Sequence, residues 1–336
     1  MVCGRLLPMD HRAKENGVQS CLFTDYVRPV RITLRTMQAE SRIRTQKSDY
    51  GDEGAACSES ISRRTKAARE VQAMEYVSPM RGASRPHLLR CDDGEYYIVK
   101  LRNNPQHIRI LANEMLASRL ALQIGLPVPQ PAFVNLPTDF IERNPALTVE
   151  RKSHVEPCPS GVQFGCQYAG DPNQASVVDF LPGHLLQRVS NLDSAFLGAF
   201  VFDKWTCNCD GRQVVFFRST LEPGWPYTGL LIDHGSCFNA EYWNFPDSPI
   251  RSLYPRRLVY DSVTSLQSFE PYLSRVESLP PSYIEESIAD IPIEWCWPHP
   301  EELCRVVDKL YARRVKVSQL IIEAAATSRA FRNWRK

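Results

Sequence analysis

The stretch HLLRCDDGEYYIVKL, residues 87–101, constrains the fold most, because it combines two short apolar runs with an Asp-Gly pair between them. Asp93 and Gly94 suit a type I′ turn, and residues 96–99 are strong strand formers. We therefore predict a β-hairpin over these residues. Its second strand ends on Lys100.

The following segment, NPQHIRILANEMLASRLALQIG (residues 104–125), has apolar residues at helical spacing. They form one stripe: Ile108, Leu111, Ala112, Met115, Leu116 and Leu122. Gly125, followed by Pro127 and Pro129, is expected to end the helix. Glu114 falls at the edge of the stripe, so we expect it to face a neighbouring strand without entering the core.

Further strands and helices are predicted along the chain. The segments PAFVNL, GVQFGCQYAG, ASVVDFLPG, RQVVFFRST and LLIDHGSCF suggest strands, LDSAFLGAFVFDKWT suggests a helix, and EPGWPYTG suggests a turn. Beyond Phe245 the chain is rich in proline and repeatedly helical. This order predicts an α+β fold with two lobes and a cleft between them, a small β-rich N-lobe over residues 71–180 and a mainly helical C-lobe over residues 181–336.

Residues 1–70 are rich in polar side chains and have few sustained apolar patterns, so we predict a mostly disordered extension. Met74 is a candidate alternative start of the chain. The extension carries 13 Lys and Arg against 9 Asp and Glu, whereas the whole chain has a formal net charge of only +2. A charge this small makes nucleic acid an unlikely partner.

The composition also bears on the cellular compartment. No run approaches the roughly 20 apolar residues that a membrane span needs, and the first residues show no apolar signal-peptide core. The 11 cysteines are an odd number in a long chain, which favours free thiols over a disulfide framework. We therefore expect a cytoplasmic protein without a membrane partner.

Cys207 and Cys209 form a C-x-C pair that raises the alternative of a zinc site. Zinc sites usually combine two closely spaced pairs of ligands, and no second pair follows at that spacing. Residues two apart in a strand share a face, so two small packed thiols are the simpler interpretation.

Four residues stand where phosphoryl transfer would need them. Lys100 ends a predicted strand and Glu114 lies on the helix 14 residues further on, where it can hold the lysine ammonium near phosphate oxygens. Asp210 precedes one predicted strand and Asp233 ends its partner, so a hairpin would bring both carboxylates to the same end. Each residue alone has a simpler role, such as a solvated ion pair or a turn, and the prediction depends on the ordered set.

Residues 75–334 resemble the HipA-like kinase domain, especially bacterial HipA-like proteins of unassigned role. The strings RGASRPHLLR, YYIVKLRNNPQHIRILANEMLASRLALQIGLPVP, VFDKWTCNCDGRQVVFF and LIDHGSCFNAEYWNFPDSP carry the resemblance. The resemblance implies a protein-kinase-like fold that binds ATP with Mg²⁺ and phosphorylates Ser or Thr of an unknown protein, which could be its own chain. The sequence leaves the acceptor and the oligomeric state open.

The resemblance also implies roles for individual residues. Lys100 matches the lysine on the ATP phosphates and Glu114 its helical partner. Asp210 matches the catalytic aspartate and Asp233 the metal-binding aspartate.

Three further residues complete the nucleotide site that the resemblance implies. Gly82 in RGASRP lets the backbone approach the phosphates. Asp179 and Leu181 in VVDFLP would contact the adenine.

The sequence departs from the family pattern in the catalytic loop. Better-studied HipA kinases continue as D-x-H-x-x-N with a metal-binding asparagine, whereas this chain has neither that histidine nor that asparagine after Asp210. Gln213 could offer a neutral oxygen to the metal, two residues early, and His234 replaces an aromatic residue or glutamine. A nucleotide-binding pseudokinase or interaction module is therefore the alternative, with a zinc-dependent or DNA-binding protein as a third possibility.

The C-terminal segment YARRVKVSQL resembles a phosphate-binding patch but fits an amphipathic helix better. We predict a solvated face with Arg313, Arg314 and Lys316. The inward face would consist of Leu303, Val306, Val307, Leu310 and Leu320.

Overall fold

The computed structural model describes residues 68–151, 154–169, 172, 177–218 and 227–335. The strands in these ranges are β1 (Arg69–Pro79), β2 (His87–Cys91), β3 (Tyr96–Lys100), β4 (Pro131–Leu136), β5 (Thr148–Glu150), β6 (Val155–Pro157), β7 (Gly161–Gln167), β8 (Val177–Val178), β9 (Gln213–Arg218) and β10 (Tyr227–Ile232).

Five of these strands close into a barrel in the order β1, β2, β3, β7 and β4. Neighbouring strands are antiparallel except β1 and β4, whose parallel pairing closes the barrel. The interior is filled by small and branched apolar side chains such as Val71, Leu89, Val99 and Val134. In this sheet Lys100 lies opposite Phe164 of β7.

The turn between β2 and β3 differs from the predicted type I′ turn. Among its residues Gly94 has a positive φ of 82°, whereas Asp93 does not, and a type I′ turn needs positive φ at both central positions. The Gly94 amide donates to the carbonyl of Cys91, and the Cys91 amide donates to the carbonyl of Glu95. This pattern is a three-residue loop with a glycine bulge, so the hairpin prediction holds but the turn prediction was wrong.

Two helices lie between strands of the barrel, and helices predominate after β7. The helices are α1 (Ile110–Gln123), α2 (Thr138–Arg143), α3 (Gly183–Leu186), α4 (Ala199–Thr206), α5 (Tyr272–Glu277), α6 (Pro281–Glu286), α7 (Glu302–Arg313) and α8 (Val317–Thr327), with a π turn at Ser194–Gly198 and 3-10 turns at Cys237–Asn239, Arg257–Tyr260, Leu266–Phe269, Ile293–Trp295 and Arg314–Lys316. The π turn runs directly into α4, and the two together account for the predicted helix.

Helix α1 is buried on nearly all sides rather than along one stripe. Its residues 110–121 are all buried, and Ile108, predicted on the stripe, is 57% exposed and precedes the helix. Glu114 is only 2% exposed, so the expectation that it would stay outside the core was wrong. The helix is covered on all sides because it packs both on strands of the barrel and on residues of the later helical part.

A second sheet of three strands, in the order β10, β9 and β8, lies beyond the barrel. Gln213 pairs with Ile232 at one end of the β9–β10 hairpin. The predicted turn EPGWPYTG lies mostly outside the described residues. In the described part of ASVVDFLPG, residues 177–183, the strand covers the two residues of β8, and α3 begins at Gly183.

The apolar core consists of two clusters. One fills the barrel, and a larger one joins α1 to the helices and the second sheet. No helix within the described parts of the chain combines the length and apolar character needed to cross a membrane.

The predicted extension over residues 1–70 lies outside the described residues up to residue 67. Strand β1 begins at Arg69, and its residues 69–72 pair with residues 132–135 of β4. A chain that starts at Met74 would lack this pairing, so the barrel argues against Met74 as the start of the folded part.

Candidate active site

Lys100 is the centre of a buried cluster of charges. Its Nζ lies 2.5 Å from Oε1 of Glu114 and 2.7 Å from Oδ1 of Asp233. Burial opposes the charge on Lys100, but the two carboxylates outweigh it and raise the pKa of this lysine. Lys100 is therefore protonated throughout the physiological pH range.

Glu114 links this lysine to the segment that follows β10. Its second oxygen, Oε2, accepts a hydrogen bond of 3.1 Å from the backbone amide of His234. Burial raises the pKa of Glu114, while Lys100 and the His234 amide act against this rise. Glu114 thus fixes both the ammonium and the backbone next to Asp233.

Asp233 follows directly after β10 in a left-handed backbone conformation with φ of 58°. Its Oδ2 accepts a hydrogen bond of 2.8 Å from Nε2 of Gln213, so donors contact both carboxylate oxygens. Burial raises the pKa of Asp233, but the charge of Lys100 outweighs burial and lowers it overall. Asp233 is therefore an ionised carboxylate, and 26% of its side chain remains exposed.

Asp210 lies in the loop between α4 and β9 with an exposed side chain. Its backbone amide donates to Oδ1 of Asn208 over 3.2 Å, and its own Oδ1 accepts from the amide of Gly211 over 2.7 Å. Because Gln213 and Ile232 are paired, the loop with Asp210 and the segment with Asp233 lie at the same end of the hairpin. The sequence predicted this placement of the two aspartates.

The loop with Gly82 connects β1 and β2. Gly82 has a φ of 139°, a conformation that side chains disfavour, and its carbonyl accepts from the amide of Arg85. The loop is anchored at its other side because Nδ2 of Asn104 donates to the carbonyl of Ser84 over 3.0 Å. A nucleotide-binding role for Gly82 stays a prediction.

The two residues predicted to contact adenine have different surroundings. Asp179 is exposed between β8 and α3, whereas Leu181 is buried in the larger core. The carbonyl of Leu181 accepts a hydrogen bond from Arg256, whose guanidinium also lies over the ring of Phe180. The adenine contacts therefore stay a prediction.

The cysteine pair before Asp210 is not part of a strand. Cys207 ends α4 in a left-handed conformation, and its thiol donates to the carbonyl of Pro246 over 3.2 Å. Burial raises the pKa of the Cys207 and Cys209 thiols. A cysteine must ionise to a thiolate before it can bind a metal, and a raised pKa makes this ionisation less favourable.

Arg313 was expected on a solvated helix face but is buried. Its Nε donates to the carbonyl of Lys204 over 2.8 Å, and its Nη1 pairs with Asp247. The prediction for this residue was wrong because its guanidinium donates to backbone carbonyls of two distant segments, at Lys204 and Phe245. The five apolar residues predicted on the inward face are buried and confirm that face.

Sequence reasoning missed three polar residues that organise the site. Asn113, Asp203 and Arg212 are buried; Asn113 binds carbonyls more than 120 residues away, Arg212 reaches Ile232 and His234, and Asp203 binds Arg212. Asn113 directly precedes Glu114, and Arg212 lies between Asp210 and Gln213. Their proximity in the sequence to predicted site residues was the signal that could have identified them.

The residues around Asp233 fit a nucleotide-bound Mg²⁺. This ion prefers oxygen ligands and is commonly held by one or two carboxylates together with substrate phosphates. Asp233 offers an ionised carboxylate, and Gln213 can present its amide oxygen by rotation of its terminal bond. Within the described ranges no three His, Cys, Asp or Glu side chains form a metal site by themselves.

A buried lysine held by a helical glutamate, next to an aspartate that ends a β-hairpin, is an arrangement typical of kinases. The chain belongs to the HipA-like kinase family, whose model matches residues 76–320. This match confirms the predicted family. It also supports a phosphotransferase of the kinase type. No curated protein matches the chain.

Similar solved structures are also kinases. The crystal structure of the Golgi casein kinase has a TM-score of 0.48 at 14% identity, with 83% of this chain and 76% of that chain covered. The same kinase with Mn/ADP bound has a TM-score of 0.45 at 13% identity, with 76% and 73% covered. The Helicobacter pylori proinflammatory kinase CtkA has a TM-score of 0.43 at 16% identity, with 75% and 99% covered.

Proposed function

We propose that this chain is an ATP-dependent kinase that transfers the γ-phosphoryl group to a Ser or Thr hydroxyl of a protein. The observation that carries the proposal is the contact of Lys100 with both Glu114 and Asp233, at 2.5 and 2.7 Å. Lys100 belongs to the barrel, and Asp233 follows the second sheet. The barrel and the helical part would then be the two lobes, which correspond approximately to residues 71–180 and 181–336. ATP would bind in the cleft between them.

In this proposal each residue has one task. Lys100 pairs with phosphate oxygens, and Glu114 holds its ammonium in place. Asp233 and Gln213 hold Mg²⁺, which would neutralise charge on the β- and γ-phosphates when bound. Gly82 allows close approach of the loop backbone.

Asp210 is the proposed base of the reaction. The acceptor hydroxyl oxygen forms a bond with the γ-phosphorus while the bond to the β-phosphate oxygen breaks, and ADP leaves. The hydroxyl proton passes to the exposed carboxylate of Asp210. Asp179 and Leu181 are the proposed adenine contacts.

We also propose a cytoplasmic location. The free thiols of Cys91 and Cys158 agree with it.

The alternative is a pseudokinase that binds nucleotide without transfer. One contact favours it, because the amide of Gln213 donates to the carboxylate oxygen of Asp233 that a metal would need. An active enzyme requires Gln213 to turn its oxygen towards the ion, whereas a pseudokinase retains the amide contact.

The test is an assay of the full chain with γ-labelled ATP, Mg²⁺ or Mn²⁺, and casein or a Ser/Thr peptide mixture as acceptor. We expect Asp210→Asn to retain binding of a fluorescent ATP analogue while transfer falls by at least about a hundredfold. Asp233→Asn is expected to lose the metal dependence of nucleotide binding. Asp308→Asn, an exposed change on α7, is the matched control and should keep full activity.

The two functions give different results in this assay. Nucleotide binding without transfer to protein, peptide or water supports the pseudokinase. Absence of nucleotide binding in the wild type, at any metal concentration, would contradict both.

A further inference from the structure

Arg212 is a buried arginine two residues after Asp210. Its side chain is only 2% exposed, and that of its partner Asp203 is fully buried. Nε of Arg212 donates to Oδ2 of Asp203 over 3.1 Å, and Nη2 contacts Oδ1 of the same carboxylate. Two of the three guanidinium nitrogens, which lie on one edge of the group, therefore bind α4, which contains Asp203.

The remaining nitrogen, Nη1, reaches the residues on either side of Asp233. It lies 3.3 Å from the carbonyl oxygen of Ile232 and 3.1 Å from Nδ1 of His234. Arginine can only donate, so Nδ1 of His234 must be the acceptor and the ring proton must be on Nε2. One guanidinium thus holds the backbone before Asp233 and the side chain after it.

Other contacts connect the same three segments. Asn208 donates to Oδ1 of Asp203 over 3.2 Å, and the amide of Cys209 donates to the carbonyl of Ser236 over 3.1 Å. The loop with Asp210 is therefore bound to α4 on one side and to the segment after Asp233 on the other. Arg212 is the side chain that contacts both.

We propose that Arg212 is a positioning residue that sets the separation between Asp210 and Asp233, and that it does not bind phosphate. The geometry carries this assignment, because all three nitrogens of the guanidinium have protein partners and the side chain is only 2% exposed. The inference builds on the proposed function, in which these two aspartates serve as base and metal ligand.

The test compares Arg212→Lys with the wild-type full chain. Lysine keeps a positive charge opposite Asp203 but cannot bridge to His234 and Ile232 at the same time. We expect the metal concentration for half-maximal nucleotide binding to rise about tenfold or more, and kcat to fall about a hundredfold. The KM for ATP at saturating metal should change less than about threefold, because no phosphate contact is lost.

A matched control distinguishes positioning from a general loss of stability. Arg119→Lys also alters a buried guanidinium, which binds both carboxylate oxygens of Asp290 over 2.5 and 2.9 Å. We expect this variant to lose thermal stability to a similar degree while its metal dependence and kcat remain at wild-type values. If Arg212→Lys does not fold, the double variant Asp203→Asn/Arg212→Gln removes both charges together and is tested in the same way.

A spectroscopic test does not depend on transfer activity. The ¹⁵N and ¹³C NMR signals of His234 report which ring nitrogen carries the proton, and we expect the Nε2–H form in the wild type and its loss in Arg212→Lys. A His234 ring protonated at Nδ1 in the wild type would overturn the proposal. So would an unchanged metal dependence in Arg212→Lys, or a raised KM for ATP at saturating metal with His234 unchanged, which would indicate phosphate binding.

The experiments distinguish a failure of the proposed kinase function from a failure of the proposed role of Arg212. A wild type that binds nucleotide but transfers nothing rejects the kinase function, while the metal titration and the His234 signals still decide the role of Arg212.

Discussion

Asn113 is a buried polar residue in the first turn of α1, and both polar atoms of its side chain are hydrogen-bonded. Nδ2 lies 2.7 Å from the carbonyl of Gly235, 3.1 Å from that of Cys237 and 3.0 Å from that of Ala240. Oδ1 accepts from the indole of Trp243 over 2.7 Å. The segment after Asp233 contains several residues with positive φ, so these contacts offset a strained backbone: Phe238, Asn239, Ala240, Trp243 and Phe245.

Replacing Asn113 is therefore expected to cost considerable stability. Asn113→Ala should lower the free energy of unfolding by about 3 kcal/mol, because three buried carbonyls and one indole lose a partner. Urea unfolding measures the effect. The control is Asn333→Ala, since Asn333 is exposed and donates only to the carbonyl of Asp261, and it should change stability by less than about 0.5 kcal/mol. Equal effects of both changes would contradict the role of Asn113.

Gln213 contacts the proposed metal ligand Asp233, and its amide can either bind the metal together with Asp233 or compete with it. If its amide oxygen is a ligand, Gln213→Ala should raise the Mn²⁺ concentration needed for half-maximal nucleotide binding about tenfold. A fluorescent nucleotide titrated with Mn²⁺ measures this concentration, and Gln319→Ala on the exposed face of α8 is the control. A lower Mn²⁺ requirement would show instead that Gln213 competes with the metal for Asp233.

At the scale of elements, strand β1 closes the barrel. Its first residues pair in parallel with β4, and the rest pair antiparallel with β2. Val71 and Ala73 both point into the barrel core. Parallel closure joins strands that are about 60 residues apart, and no local pattern in the sequence indicates such a partner.

Shortening β1 should therefore weaken the fold. We expect a chain that begins at Met74 to unfold at a temperature several degrees below that of a chain that begins at Ala68, because it lacks the β1–β4 pairing and the buried side chains of Val71 and Ala73. Calorimetry of both chains, with the full chain as reference, measures the difference. Identical transitions would mean that the barrel does not require this pairing.

The sequence predicted individual helices and hairpins well. It predicted turn types and the burial of single side chains less well. The hairpin β2–β3, helix α1 and the hairpin β9–β10 were predicted from apolar periodicity and turn residues, which act over a few positions. The turn after β2 was mispredicted because an Asp-Gly pair fits more than one tight turn. The burial of Glu114 was missed because periodicity shows which face is apolar, whereas packing from several sides decides what is covered.

At the scale of the whole molecule, the site lies where the two apolar cores meet. Lys100 comes from the barrel, Glu114 from the helix that packs into the larger core, and Asp233 from the end of the second sheet. Lys100 and Asp233 are 133 residues apart in the sequence. Any change that shifts the barrel relative to the helical part should therefore alter the site.

The stability of the whole molecule should depend on pH through buried histidines. Burial lowers the pKa of His87 and His107 below the ordinary histidine value of about 6.5. Below that pH the unfolded chain takes up protons that the folded chain resists, so the free energy of unfolding falls on acidification. The lowered pKa of Asp233 adds no loss in this window, because its contribution is lost only below about pH 4.

His87 is suited to a test of this dependence, because its Nδ1 makes only a long contact of 3.4 Å with the hydroxyl of Tyr76 and it is not one of the proposed site residues. Between pH 7.5 and 5.5 the wild type should lose stability, by at most about 1.4 kcal/mol per pH unit for each histidine. His87→Phe should lose less, as measured by urea unfolding at both pH values. His184→Gln alters an exposed histidine and should behave as the wild type, and an unchanged acid response in His87→Phe would contradict the assignment.

The sequence by itself determined the family, the main hairpins and helices, and the order of Lys100, Glu114, Asp210 and Asp233, because turn residues, apolar periodicity and long motifs are properties of neighbouring residues. Only the tertiary structure decided which buried polar groups meet. Arg212 looked like an ordinary loop residue until its guanidinium was seen to join Asp203 to the flanks of Asp233. A buried charge or amide must find its partners wherever the fold brings them, and a local sequence pattern does not show which residues those are.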